Sequence, residues 1–301
     1  MFARALPFLV LGSGVIVVSC AAILIRLAQA EGASSLAIAA IRLTLAAAVL
    51  APFAWLRAGG EILRLQRREW QLCALSGALL GAHFWAWITS LEYTSVASST
   101  ALVTTNPLWV AVASALFLRE RPGSAAIVGI VLTLVGSVLV FAADASRESG
   151  DGATSMLGNF LALAGAVSAS GYLLVGRALR ARVSLTAYVW LAYSIAAILL
   201  IVAALATGVA VSSLPSAAWV FLIALALGPQ LIGHTTFNWA LRRLTATFVA
   251  VAILGEPIGA AMLACLFFRE TFSALQLTGF LLLLAGIFVA ARDERSRGAL
   301  N

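Results

Sequence analysis

The sequence predicts an all-α membrane protein: ten transmembrane helices arranged as two inverted five-helix repeats. Three observations predict it. The chain is 62% hydrophobic and 10% charged, against roughly 45–50% and 25% in soluble domains. Its apolar residues fall into ten runs, each near the roughly 20 residues that a helix needs to cross the hydrocarbon layer. A motif, Leu-Phe-x-Arg-Glu, occurs at Leu116 and again at Leu266, a shift of 150 in a chain of 301 residues.

The first run, Leu6–Ala28, follows Arg4 and ends in "AQA", which has the look of a signal-peptide cleavage site. It is longer than the roughly 7–15 residues of a signal core, and Arg26 interrupts it, so it is expected to remain as a span. The second, Ser34–Leu56, opens on serine, carries Arg42 and runs into the basic loop Arg57–Glu69. The third, Trp70–Leu91, holds His83 and Trp87. The fourth, Ser95–Leu118, contains Asn106–Pro107 and stops at Arg119–Glu120. The fifth, Gly123–Ala143, is apolar and carries Gly129 and Gly136. The sixth and seventh, Met156–Gly176 and Leu185–Gly208, hold Tyr172 and then Tyr188, Trp190 and Tyr193. The eighth, Leu214–Leu241, bears Gln230, His234 and Asn238. The ninth, Thr245–Phe268, contains Glu256–Pro257, and the tenth, Phe272–Ala291, carries Gly279 and Gly286. Residues 1–143 are thus expected to form the first repeat and 144–155 a linker loop. Residues 156–301 form the second repeat, with a short cytoplasmic tail.

Charge placement orients the chain. All 19 basic residues are arginines. Fifteen fall on the side of the N-terminus, two (Arg147 and Arg269) on the other, and Arg26 and Arg42 within spans. The positive-inside bias then places both termini in the cytoplasm. A soluble protein of net charge +7 would suggest a nucleic-acid partner. Here the charge follows the loops, so the expected partner is the bilayer and no nucleic acid is implied. Single cysteines at Arg67 and Arg243 should label only from the cytoplasmic side, and one at Ser213 only from outside. Labelling of Arg67 and Ser213 from one face would defeat the inversion.

Ungapped alignment at the shift of 150 pairs Pro107 with Pro257, Arg119–Glu120 with Arg269–Glu270, Gly129 with Gly279 and Gly136 with Gly286. Each half has five spans, and five is odd, so the second copy must enter the membrane upside down. Such repeats place a binding site near the midplane, where the halves meet. Polar groups at mid-span are therefore informative. Pro107 and Pro257 each weaken the hydrogen bonding of a carbonyl four residues earlier, those of Val103 and Ile253. Asn106 and Glu256 sit beside them. A carboxylate in lipid costs several kcal/mol unless it is partnered or protonated, so Glu256 must face inward, as must Arg42. Gln230, His234 and Asn238 form a stripe at i, i+4 and i+8 that could not face lipid. His83 and Trp87, Thr105 and Trp109, and Tyr172 add a polar and aromatic edge. A substrate is expected to stack on Trp87, Trp109 or Tyr172 and to meet neutral partners such as Gln230, Asn238 and Asn106, in a cavity among spans 3, 4, 6, 7, 8 and 9. Arg42, Pro107, Glu256 and Pro257 are assigned structural or coupling roles. Cys20, Cys73 and Cys265 show no metal-ligand spacing, and neither a metal nor a cofactor is implied.

These residues carry a resemblance. "TTNPLWVAVASALFLRERPGSAAIVGIVLTLVGSVLV" and "GEPIGAAMLACLFFRETFSALQLTGFLLLLAGIFVAA" resemble the ends of the two repeats of EamA-type transporters in the drug/metabolite transporter superfamily. Glu120 and Glu270 stand at the family's box glutamate, and Arg42 at its second-span arginine. Asn106 departs from the Glu-Pro pairing. The resemblance implies a ten-span secondary transporter of the bacterial inner membrane with a small-molecule substrate. The aromatic-rich middle is similar to YddG-like exporters of aromatic and other amino acids. Amino acid export is thus the expectation, with purine-like metabolites or lipophilic drugs as the alternative. A membrane-embedded enzyme would need a catalytic constellation that two isolated histidines do not supply, and a channel would not explain antiparallel halves meeting at breakers. Without any lysine there is no P-loop, so transport runs on a gradient. Glu256 is the candidate proton carrier, but substrate-driven facilitated transport is the expected mode.

Overall fold

The computed structural model describes residues 2–93, 99, 102–103, 105–118, 122–145, 152–209, 214–268 and 272–298. The Arg119–Glu120 and Arg269–Glu270 turns, Arg121, Arg147 and Ser213 lie outside the described residues. Among those described, every regular element is helical: α1 (Phe2–Val18), α2 (Ala21–Ala30), α3 (Ser35–Leu63), α4 (Arg67–Tyr93), α5 (Asn106–Ala113), α6 (Ser124–Ala145), α7 (Gly152–Leu179), α8 (Leu185–Ala206), α9 (Ser216–Leu225), α10 (Thr235–Ala240), α11 (Ala246–Ile253), α12 (Glu256–Phe268) and α13 (Ala274–Gly298). Two π-helical segments, Ser114–Leu118 and Ala226–His234, follow α5 and α9.

Seven helical stretches are long and apolar enough to cross a membrane, and three shorter apolar ones, Asn106–Phe117, Ser124–Leu139 and Ala246–Ala260, occupy the fourth, fifth and ninth spans. Ten spans result. The first is α1 and α2 with a break at Ser19–Cys20, the eighth is α9, the π segment and α10, and the ninth is α11 and α12. Large apolar side chains cover the outside: Leu56, Phe117 and Ile16 are each more than two-thirds exposed. So continuous an apolar exterior suits hydrocarbon, and would be an aggregation surface in water.

The packing has the symmetry that the sequence repeat demands. The fifth span packs on the tenth and the second on the seventh, each against its own counterpart. The third packs on the sixth, and its mirror contact joins the eighth to the first. Glycines fix the direction. A Cβ on Gly129 would come 2.8 Å from the carbonyl oxygen of Gly286, and one on Gly136 would come 2.6 Å from that of Gly279. Gly129 therefore meets the counterpart of Gly136, and Gly136 the counterpart of Gly129. Contacts whose residue numbers rise on one helix and fall on the other occur only between antiparallel helices. The two copies run in opposite directions: the fold is an inverted repeat.

Helix starts are closed by carboxylates from distant helices. The Ser35 amide donates to Glu92, 3.1 Å, and the Ser184 amide to Glu61, 2.7 Å. Thr245 donates from both its amide and its hydroxyl to Glu294, each at 2.6 Å. These bonds satisfy backbone donors that a helix N-terminus leaves open. Ser34, Ser184 and Thr245 also cap their own helices through their side-chain oxygens. Gly32, at φ +88°, and Gly208, at φ +71°, turn the chain at the ends of α2 and α8, a backbone conformation that favours glycine.

Candidate functional site

Both prolines stand at the start of a helix. α5 begins Asn106–Pro107 and α12 begins Glu256–Pro257, where a missing amide hydrogen costs no helical bond. The residues four before them, Val103 and Ile253, both line one cavity of about 90 Å³ at the meeting of the halves. Both helix starts thus lie beside this space.

Its polar wall comes from Arg42, His83, Trp87, Asn106, Tyr172, His234 and Glu256, with Pro257 at its edge. Arg42 is completely buried, and none of its three guanidinium nitrogens has a hydrogen-bond partner among the described residues. What holds it is the face of Phe84, 4.1 Å from the guanidinium carbon, a cation–π contact of more weight once water is excluded. Phe84 in turn takes the His234 ring edge-on at 5.2 Å. His83 stacks nearly parallel on Trp87, with centroids 5.9 Å apart and 6° between planes. Its Nδ1 lies 3.0 Å from the Gly165 carbonyl. A carbonyl only accepts, so in the neutral ring Nδ1 carries the hydrogen and Nε2 is left as an acceptor. Asn106 accepts from the Ser170 hydroxyl at 2.7 Å.

Other expected contacts sit elsewhere. Trp109 donates to Thr105 at 3.0 Å and is partly exposed, and neither is among the residues that line the cavity. Pro107 does not line it either, although its equivalent Pro257 does. The seventh span stands behind the wall: Tyr188 bonds Ser76 at 2.7 Å, and Tyr193 donates to the Gln230 carbonyl at 3.1 Å. The first and second spans take its place, contributing Val18, Ala21 and Arg42. The Gln-His-Asn stripe is also split between layers, in a span whose Ala226–His234 segment is π-helical and contains Pro229. Only His234 of the three reaches the cavity. Asn238 donates to the Tyr172 hydroxyl at 2.5 Å, one layer back, and the Gln230 amide is buried without a partner.

Arg180 has a role beyond loop charge. It is buried, donates to the carbonyls of Asn238 and Val183, and so ties the end of the eighth span to the sixth. Arg177 adds a bond to the Leu241 carbonyl at 2.7 Å. Burial, and then repulsion by Arg242, lowers the Arg180 guanidinium to about 10, so it stays charged at neutral pH. Arg180 lies eight residues past Tyr172, and its spacing carries no sign of its partner Asn238, 58 residues away.

Similarity to known proteins agrees with this architecture. A solved crystal structure superposes with a TM-score of 0.79 over 97% of this chain and 99% of that one; at 21% identity the likeness shows a shared fold. A riboflavin transporter of Vibrio cholerae serotype O1 (strain ATCC 39315 / El Tor Inaba N16961) is 28% identical over 110 residues. That stretch is 36% of this chain and 36% of the relative. The EamA-like transporter family matches residues 6–142 and 156–292, one repeat in each half. With both repeats matched and both found folded against each other in opposite directions, the chain belongs to the EamA-like transporter family.

Proposed function

We propose that this protein is a secondary transporter that exports amino acids with aromatic and other large neutral side chains, by alternating access of the two halves to the central cavity. One observation carries the reading. The cavity joins an unpartnered cation, Arg42, and a carboxylate, Glu256, to the aromatic rings of Trp87, Tyr172 and Phe237. An α-amino acid offers both charges and an apolar side chain. Trp87 and Tyr172 supply the stacking surface, and Asn106, His83 and His234 the neutral polar contacts. Asn238 and Gln230 act from behind, Asn238 by orienting Tyr172. The proposed setting is the inner membrane, with both termini in the cytoplasm.

A second reading has its own support. The parallel His83–Trp87 stack and the similarity to a riboflavin transporter favour a flat heteroaromatic metabolite. Uptake of labelled phenylalanine, tryptophan, methionine, adenosine, riboflavin and glucose into liposomes holding the purified protein separates them. Phenylalanine, tryptophan and methionine are expected to exchange, and glucose to be excluded. Transport of riboflavin or adenosine with none of the three amino acids would establish the second reading instead.

A further inference from the structure

The sequence motifs leave Arg42 unexplained except as an inward-facing charge. Its environment is more specific. The side chain is fully buried, its guanidinium lies against Phe84, and all three nitrogens lack hydrogen-bond partners among the described residues while the group lines the cavity. A buried cation with five unused donors is stable only if an anion or a set of acceptors comes to it. Glu256 is within electrostatic reach but forms no hydrogen bond to it. The two charges therefore stand apart across the same cavity, one from the second span and one from the ninth.

We propose that Arg42 is the carboxylate receptor of the transported amino acid and Glu256 the receptor of its ammonium group. This rests on the amino acid reading above. The guanidinium fork matches a carboxylate with two parallel N–H···O bonds, and the cation–π contact with Phe84 holds the fork in place before substrate arrives. Glu256 accepts from the ammonium. A zwitterion bound in this way neutralises both protein charges at once. A ligand with only one charge leaves a buried ion without a partner, and that cost is the basis of selection.

The test compares phenylalanine with phenylalaninamide, which lacks the carboxylate, and 3-phenylpropionate, which lacks the ammonium. Each is used to compete with labelled phenylalanine in proteoliposomes. In the wild type each analogue is expected to compete at least about 10-fold more weakly, the strength of one charge-assisted hydrogen bond. In Arg42→Gln the difference between phenylalanine and phenylalaninamide collapses toward onefold, while the preference over 3-phenylpropionate is retained. Glu256→Gln does the reverse. Arg42→Lys keeps the charge and restores part of the discrimination. If a variant does not fold, the wild-type series decides alone: analogues that compete as well as phenylalanine overturn the assignment. Phenylalanine transport with unchanged discrimination in Arg42→Gln overturns it and leaves the amino acid reading standing. Riboflavin transport without transport of any amino acid removes both.

Discussion

Gly136→Ala is expected to destabilise the protein by about 1–3 kcal/mol, the cost of overfilling a packed interior by one methyl. The new Cβ would lie 2.6 Å from the carbonyl oxygen of Gly279 and 2.9 Å from the amide nitrogen of Leu283. Both are backbone atoms of the tenth span, so no side chain can swing aside and the helices must separate. In a bilayer that separation is costly in a particular way. Lipid is as apolar as leucine, and helices hold together through close van der Waals approach at small residues. Gly286→Ala should behave alike, because its Cβ would lie 2.6 Å from the Gly129 carbonyl oxygen. Gly60→Ala is the control: nothing lies within 4 Å of its Cβ, and alanine is the better helix former, so it should be neutral or stabilising. Apparent melting temperatures of detergent-solubilised protein check all three. A Gly136→Ala melt equal to the wild type would mean that the fifth and tenth spans do not approach this closely.

Those glycines are also where the sequence speaks most clearly. Gly129 and Gly136 align with Gly279 and Gly286, and the same four residues build the seam. Hydropathy places the ten spans because a bilayer demands long apolar helices with internally satisfied backbones, a constraint written into composition. The site is less legible. The pairing of Pro107 with Pro257 points to the cavity, and Val103, Ile253, Asn106 and Glu256 do line it. In the eighth span, spacing alone does not separate the layers: His234 lines the cavity, while Asn238 bonds Tyr172 behind it. Aromatic character alone does not reveal which side of a helix faces the cavity: Trp109, partly exposed and bonded to Thr105, is not among its lining residues. Glu61, Glu92 and Glu294 cap helices whose starts lie 123, 57 and 49 residues away along the chain. Long-range capping of this kind has no local pattern to betray it.

Joining Asn106 to Ser170 by a disulfide is expected to stop transport altogether. The two residues belong to opposite halves, the fourth span and the sixth, and the Ser170 hydroxyl donates to the Asn106 side-chain oxygen at 2.7 Å and to its carbonyl at 3.2 Å. At the repeat shift of 150, Asn106 corresponds to Glu256 and Ser170 to Cys20. Yet no hydrogen bond joins Cys20 to Glu256, so the structure closes one of two equivalent contacts and leaves the other unmade. If inverted halves alternate by exchanging conformations, the state facing the other way breaks Asn106–Ser170 and brings Cys20 toward Glu256. Covalent closure of the first contact then holds the cycle at one end. The experiment uses Asn106→Cys with Ser170→Cys in a chain whose native Cys20, Cys73 and Cys265 are replaced by alanine. Oxidation should lower uptake to that of empty liposomes and reductant should restore it, the reduced protein serving as its own control. Full uptake by completely cross-linked protein would place this contact in a part of the fold that does not move, and the exchange of halves would have to occur around it.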